Sequence, residues 1–220
     1  MANIVPTRVA PTNSTVVDQI NIYDGAIYSV SGALLGATND DLTHGSLPPQ
    51  VADKLITGGQ FDRVILVGCA VSTTTAALHA TGSLKDRIPV AMRRLSARGI
   101  TPSTTGVTFA IWWGQGESDH GTSSASYQAS LNTIRSNAVS AGFSGRFFVC
   151  KQTILSGSTD ATIQGAQTGL VDNVNFWSGG DMDALTGANR QGDNTHWSDT
   201  GAPNAATAVY NAMHASGAPF

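Results

Sequence analysis

An aspartate and a histidine three residues apart, Asp193 and His196, stand just before the last apolar stretch of the chain. Acyl transfer needs a base that takes a hydroxyl proton and a carboxylate that holds this base in one tautomer. The D-x-x-H spacing lets one loop deliver both groups to a common point. The same spacing fits an ordinary helix-capping loop, so it does not decide the matter alone. A second candidate is Trp112-Trp113-Gly114-Gln115-Gly116-Glu117-Ser118-Asp119. Gly114 and Gly116 bracket Gln115 after an apolar run and permit close backbone approach. An amide held there can donate to a developing oxyanion, and Glu117 can fix the loop or a ligand. The rival reading is a glycine-rich turn with capping acids. The third candidate, Gly68-Cys69-Ala70-Val71-Ser72-Thr73-Thr74-Thr75, has residues small enough for a backbone N–H to face a ligand. It also reads as a plain Ser/Thr-rich loop.

These segments need elements to position them. Gln19–Tyr23 alternates polar and apolar residues and then meets Asp24-Gly25, the pattern of a strand and a tight turn. Pro48–Ile56 predicts a helix closed by Gly58-Gly59. Arg63–Gly68 and Val107–Trp113 are short β-branched or aromatic runs, typical of strands buried on both faces. Helices are expected over Asp86–Arg98, Ser126–Ala141, Ile163–Val171 and Ala202–Ala215, and further strands over Arg146–Cys150 and Val174–Trp177. Strand-like and helix-like runs alternate throughout. The pattern predicts a single α/β domain over residues 1–220, a three-layer α/β/α sandwich around a mostly parallel central sheet. Ligand sites in such sheets lie in the loops after the strands.

Composition narrows the partners. Charged residues make up 12% of the 220 and the net charge is −3. No basic cluster exceeds the pair Arg93–Arg94, so the stripe needed to neutralise nucleic-acid phosphates is missing. No apolar run reaches the ~20 residues of a membrane span, and Met1–Pro6 lacks the charged and apolar regions of a signal peptide. The compartment stays undetermined. Cys69 and Cys150 each follow an apolar run and read as small buried hydrophobes. The other histidines fit no zinc spacing. His79 reads as a packing residue, His120 flanks the glutamine turn, His214 falls in the last turn of a helix and His44 in a polar loop.

Taken together, the three segments resemble the SGNH, or GDSL-type, hydrolases, in the branch of sialate O-acetylesterase-like and plant-type carbohydrate esterases. That branch writes its third block as W-x-Q-G-E-x-D, and this chain has Trp113-Gly114-Gln115-Gly116-Glu117-Ser118-Asp119. The terminal D-x-x-H block matches as Asp193–His196, and the resemblance spans most of the chain. It implies an ester hydrolase, with small acyl groups such as acetyl on carbohydrate hydroxyls as substrates and no cofactor. His196 would be the general base, Asp193 its orienter and Gln115 an oxyanion or substrate donor. Trp112, Trp113 and Trp197 would be placed to stack on sugar rings, with core packing an equal explanation for Trp112. Ser72 stands where the family has a glycine, and its backbone N–H would serve the oxyanion. The resemblance further implies that the carboxylate–imidazole pair and the glutamine turn meet at one rim of the sheet.

One block is missing. The family's nucleophilic serine follows a short apolar strand near the N-terminus, as G-Q-S-N or G-D-S, and no such motif occurs here. The expectation is that this strand and its serine precede residue 1. Because that strand is central in the family's sheet, its slot would be filled by residues 3–10, by a strand from a second copy of the chain, or by closure of the flanking strands. Ser72 and Ser118 are the surrogate nucleophile candidates. The alternative function is a non-catalytic carbohydrate-binding or assembly protein on the same fold.

Overall fold

A computed structural model of the chain describes residues 5–37 and 43–217. In chain order its elements are β1 (Val17–Ile20), β2 (Ile27–Ser29), α1 (Leu47–Thr57), β3 (Val64–Val67), α2 (Ala76–Ala80), α3 (Arg87–Ser96), β4 (Ala110–Trp113), α4 (Ser124–Ser140), β5 (Arg146–Lys151), α5 (Ala161–Leu170), β6 (Phe176–Asp181) and α6 (Gly201–Ala215). The chain packs as two compact units. Among the described residues one takes those up to Ser72 and 184–217; the other is Thr73–Asp183.

The first unit is built on the sheet β2-β1-β3, with β1 antiparallel to β2 and parallel to β3. All four β1 residues are buried. Two of them are polar, and a buried polar group is costly unless hydrogen-bonded. Asp18 accepts from Arg63 Nε at 2.8 Å, and Gln19 Oε1 accepts from Leu35 N at 2.8 Å. The strand ends at Ile20 rather than running on to Tyr23. Asn21 Oδ1 accepts from Tyr23 N at 3.0 Å, Gly25 N donates to Asn21 O at 2.8 Å, and Gly25 takes φ 71°. This turn folds the chain back as β2, which the alternation did not reveal. Helix α1 opens on Pro48 and Pro49, where missing N–H groups cost nothing, and it packs on α6. Beyond its end, Gln60 Nε2 donates to Tyr210 Oη in α6 at 3.2 Å.

The second unit is built on the parallel sheet β4-β5-β6 flanked by helices. Its centre is β5, where Phe147, Phe148, Val149 and Cys150 are fully or almost fully buried. Phe147 meets Phe176 edge-on, with ring centroids 5.1 Å apart, and Tyr127, Leu131, Ile134 and Ile163 from α4 and α5 close the core. Helix α5 is capped by Asp160, whose Oδ1 accepts from Thr162 N and Ile163 N. The strand expected at Val174–Trp177 begins instead at Phe176 and runs to Asp181. Asp172 Oδ1 accepts from the N–H groups of Val174, Asn175 and Phe176 and holds this stretch in a turn. Pairing with β5 then draws the glycine-rich Ser178–Asp181 into the sheet.

Two burial expectations are corrected. β3 and β4 read as strands covered on both sides, yet β3 is half-buried at all four positions, and β4 is buried only at Trp113. Each ends its ladder: among the described residues β3 pairs with β1 alone and β4 with β5 alone. Residues 5–10 do not fill such a slot. Val5 bridges to Gly45, and Thr7 donates twice to the Asp199 carboxylate. Residues 3 and 4 lie outside the described residues. Cys69 is half-buried rather than buried, whereas Cys150 is fully buried and burial pushes its thiol up to about 12.

His79 packs as the sequence implies. It is 7% exposed, meets Trp113 edge-on at 5.4 Å, and bonds through Nε2 to Thr74 Oγ1 at 3.1 Å. Burial, and then the charge of Arg87, pulls its imidazole down to about 4 from 6.5. The unfolded chain therefore binds a proton in this interval that the native chain refuses. Stability present above about pH 6.5 is drawn down as pH falls toward 4. The melting temperature of His79→Gln is expected to fall less over this interval than that of the parent. Parallel slopes would refute the assignment.

Candidate functional site

The D-x-x-H segment lies on a loop closed on itself. Arg190 and Trp197 bridge as an antiparallel pair, Gln191 N donates to His196 O at 2.8 Å, and Gln191 Nε2 donates to Trp197 O at 2.9 Å. Arg190, only 6% exposed, donates to the carbonyls of Leu185 and Thr195, and its guanidinium lies 3.6 Å from the Trp197 ring centroid. Sequence reasoning missed Arg190, although its cation fastens the loop to its buried floor. Asn194 takes φ 54°, a left-handed conformation that asparagine tolerates, and this lets the chain turn back within four residues.

The turn brings the two catalytic candidates together. His196 Nδ1 and Asp193 Oδ2 are 2.5 Å apart. The other carboxylate oxygen, Oδ1, accepts from Thr195 N at 2.9 Å and His196 N at 3.0 Å. Partial burial works to raise the Asp193 carboxyl, but the two backbone donors and the His196 ring outweigh it and bring it down to about 2. Asp193 is thus ionised at neutral pH and can only accept. Nδ1 must then carry the proton, which leaves the lone pair on Nε2. Nε2 has no hydrogen-bond partner among the described residues, and the side chain is 36% exposed. A neutral ring held this way can accept a proton at Nε2.

In the same unit, Ser72 is exposed on the loop after β3, directly before Thr73, which takes φ 56°. Left-handed backbone is rare for a β-branched residue and fixes a sharp bend. Among the described residues no serine or threonine hydroxyl bonds to His196 Nε2.

The glutamine turn belongs to the second unit. Gln115 Nε2 donates to Thr74 O at 3.2 Å and to Asp119 Oδ2 at 2.6 Å. Both neighbours are acceptors, so the amide orientation is forced. The atom left without a partner is Oε1, which is buried. Both protons of the Gln115 amide are thus engaged within the protein, so in this arrangement it is not the open oxyanion donor that the resemblance implies. Glu117 Oε2 accepts from Gly116 N at 3.0 Å, and Glu117 Oε1 accepts from Gln152 Nε2 at 2.7 Å. Gly116 has no room for a side chain, because a Cβ there would overlap the Gln152 carbonyl. Gly114 is looser, with Gln152 Oε1 3.0 Å from its ideal Cβ. Ser118 is exposed, and its hydroxyl has no partner among the described residues.

The residues beneath the turn were not foreseen. Tyr127 Oη donates to Gln115 O at 2.7 Å, and Gln167 Nε2 donates to the same oxygen at 2.9 Å. Gln167 Oε1 accepts from Gln152 N at 3.0 Å. Asp119, 2% exposed, also accepts from Ala76 N at 2.9 Å. These groups arrive from α2, α4, α5 and the end of β5, so no local spacing announces them. His120 bonds through Nε2 to Thr153 O at 2.6 Å, and its ring nitrogen is thereby occupied.

Two tryptophans expected to stack on sugars are not available for it. Trp113 is 7% exposed and Trp197 is 1% exposed. Trp112 is half-buried, with Nε1 bonded to Cys150 Sγ at 2.7 Å. Among the described residues no three His, Cys, Asp or Glu side chains gather as metal ligands.

A crystal structure of an Arabidopsis thaliana protein, determined by X-ray diffraction at 1.6 Å, resembles this chain with a TM-score of 0.68. The identity is 20%, and the match covers 96% of this chain and 85% of that one. At this identity the likeness speaks for the fold: α/β with parallel strands flanked by helices, consistent with a three-layer α/β/α arrangement. No protein-family model and no curated protein matches the chain.

Proposed function

We propose that the chain is an ester hydrolase in which His196 acts as general base and Asp193 holds it in the productive tautomer. The single observation behind this reading is the pinned Asp193–His196 pair with its outward Nε2 lone pair. Nε2 takes the proton of an attacking hydroxyl as the oxygen adds to the ester carbonyl. The imidazolium then returns this proton to the departing alkoxide; water as the attacker releases the acid directly, and a serine as the attacker gives an acyl-enzyme that a water deprotonated by Nε2 cleaves in a second round. The substrate class is a small acyl ester, acetyl on a carbohydrate hydroxyl in the reading carried by the resemblance.

The test is turnover of p-nitrophenyl acetate by the parent and by His196→Ala. General-base catalysis contributes about 10²–10⁴-fold, and a loss of that size is expected. Equal rates would end the proposal. A phosphonate ester probe with peptide mapping then identifies the hydroxyl. Label on Ser72 or Ser118 assigns a serine route. Turnover without label assigns water as the species that Nε2 deprotonates.

A second reading has one observation in its favour: no described hydroxyl bonds to His196 Nε2. It makes the chain a carbohydrate-binding protein without catalysis. Saturable binding of an acetylated oligosaccharide with no release of acetate would support it.

A further inference from the structure

Arg190 touches the residues on both sides of His196. Its Nε donates to Leu185 O at 2.8 Å and its Nη1 to Thr195 O at 2.7 Å. Its guanidinium carbon lies 3.6 Å from the Trp197 ring centroid. Thr195 and Trp197 are the chain neighbours of His196. One cation thus holds the carbonyl before the imidazole residue and the ring after it. Arg190, Thr195 and Trp197 are all buried, whereas the His196 side chain is 36% exposed. The two neighbours are fixed inside, and His196 stands out between them. The backbone ties the same stretch: Gln191 N donates to His196 O at 2.8 Å, and Asn194 N donates to Gln191 O at 2.9 Å.

The ends of this loop are closed without the guanidinium. Ser198 N donates to Asn189 O at 3.0 Å, and Ser198 Oγ donates to Ala188 O at 2.6 Å. Gly201 packs so tightly that a Cβ there would overlap the Asn189 carbonyl. What the Arg190 side chain adds is the register of the inner turn. A guanidinium is a rigid planar fork that donates in two directions while it packs on an aromatic ring. An ammonium is a point charge on a flexible stem. The tautomer of His196 depends on this register, because Nδ1 keeps its proton only while Asp193 Oδ2 stays beside it.

We infer that Arg190 is a positioning residue for His196: its guanidinium, set between Thr195 O and the Trp197 ring, keeps the imidazole in register with Asp193 and the lone pair on Nε2. The inference rests on the reading of Asp193 and His196 as the catalytic pair.

The experiment reads the His196 ring itself. Heteronuclear NMR of isotope-labelled histidines, in mildly alkaline solution where an imidazole is neutral, separates a protonated ring nitrogen from a bare one. The His196 signals are assigned by their loss in His196→Gln. The parent is expected to carry the proton on Nδ1 alone. In Arg190→Met and Arg190→Lys the proton is expected to divide between Nδ1 and Nε2. In both variants kcat for p-nitrophenyl acetate is expected to fall about 10–10²-fold, with KM within about twofold of the parent, the loss that a misplaced catalytic group brings. Lower stability alone does not move a ring tautomer in a protein that is still folded. A folded variant of either kind that keeps the parent's tautomer would overturn the inference. If His196→Ala hydrolyses the ester as fast as the parent while the variants lose the tautomer, the ester-hydrolase reading falls and the positioning role stands. The parent alone supplies one more check. Its Arg190 Nε proton is expected to exchange with solvent far more slowly than that of the exposed Arg93. Equal exchange would sink the inference even where no variant folds.

Discussion

Asp193→Asn is expected to lower kcat/KM for p-nitrophenyl acetate by about 10³-fold with the fold unchanged. An asparagine keeps Oδ1, so the N–H groups of Thr195 and His196 retain their acceptor and the loop retains its shape. The change falls on the other atom. An amide NH2 at the position of Oδ2 donates to Nδ1, which must then accept, and the ring proton moves to Nε2. Nε2 becomes a donor and cannot take a proton from an incoming hydroxyl. The same substitution in a chymotrypsin-type triad costs about 10⁴ for this reason. The pH profile adds a second check. Asp193 stays ionised down to about pH 2, so its own titration does not set the acid limb of the rate. Its charge supports folding above the ordinary carboxylate range, and this contribution is lost as pH falls through about 2. A rate for Asp193→Asn within twofold of the parent would show that the carboxylate is a loop cap and nothing more.

Asp119→Ala carries the largest expected loss of stability. Asp119 is 2% exposed and collects Ala76 N at 2.9 Å, Gln115 Nε2 at 2.6 Å and a longer contact from Thr122 Oγ1. Alanine leaves the first two donors without their acceptor in a dry place. Each such orphan costs about 1–3 kcal/mol, so the total is on the order of 3 kcal/mol. For a chain of this size that is a fall in melting temperature of about 10 °C. Gln115 is also released, because its amide keeps only Thr74 O. Thermal denaturation of Asp119→Ala beside Ser118→Ala checks this. The neighbour is exposed and its hydroxyl has no described partner, so it should melt close to the parent. Equal melting of the two variants would remove Asp119 from the account.

Much of this molecule could be read from local patterns. Arg146–Cys150 and Arg63–Gly68 declared themselves as strands because β-branched and aromatic side chains suit a pleated surface. Asp193 and His196 were legible because three residues of chain fix their separation. What escaped notice depends on distant partners. Whether Val64–Val67 is covered on one side or two is decided by a neighbouring strand, not by the four residues themselves. The start of β6 was misplaced because Val174 looks like a strand residue, while Asp172 fixes it in a turn. Tyr127, Gln152 and Gln167 meet Gln115 only through the packing of α4, α5 and β5. Arg190 lies six residues before His196, too far for a spacing rule, and its value comes from the Trp197 ring beneath it. The amide of Gln115 was assigned a donor's role from its residue type. The acceptors on either side of it engage both of its protons.

The run-out of both ladders on apolar strands has a consequence for handling the protein. Natural sheets commonly guard their margins with lysine, proline or a bulge. The segments Val64-Ile65-Leu66-Val67 and Ala110-Ile111-Trp112-Trp113 carry none of these, and each leaves its outer side without a strand among the described residues. A margin of this kind, where it is uncovered, is a template for pairing with another extended chain. In a partly folded chain such runs favour association over recovery as concentration rises.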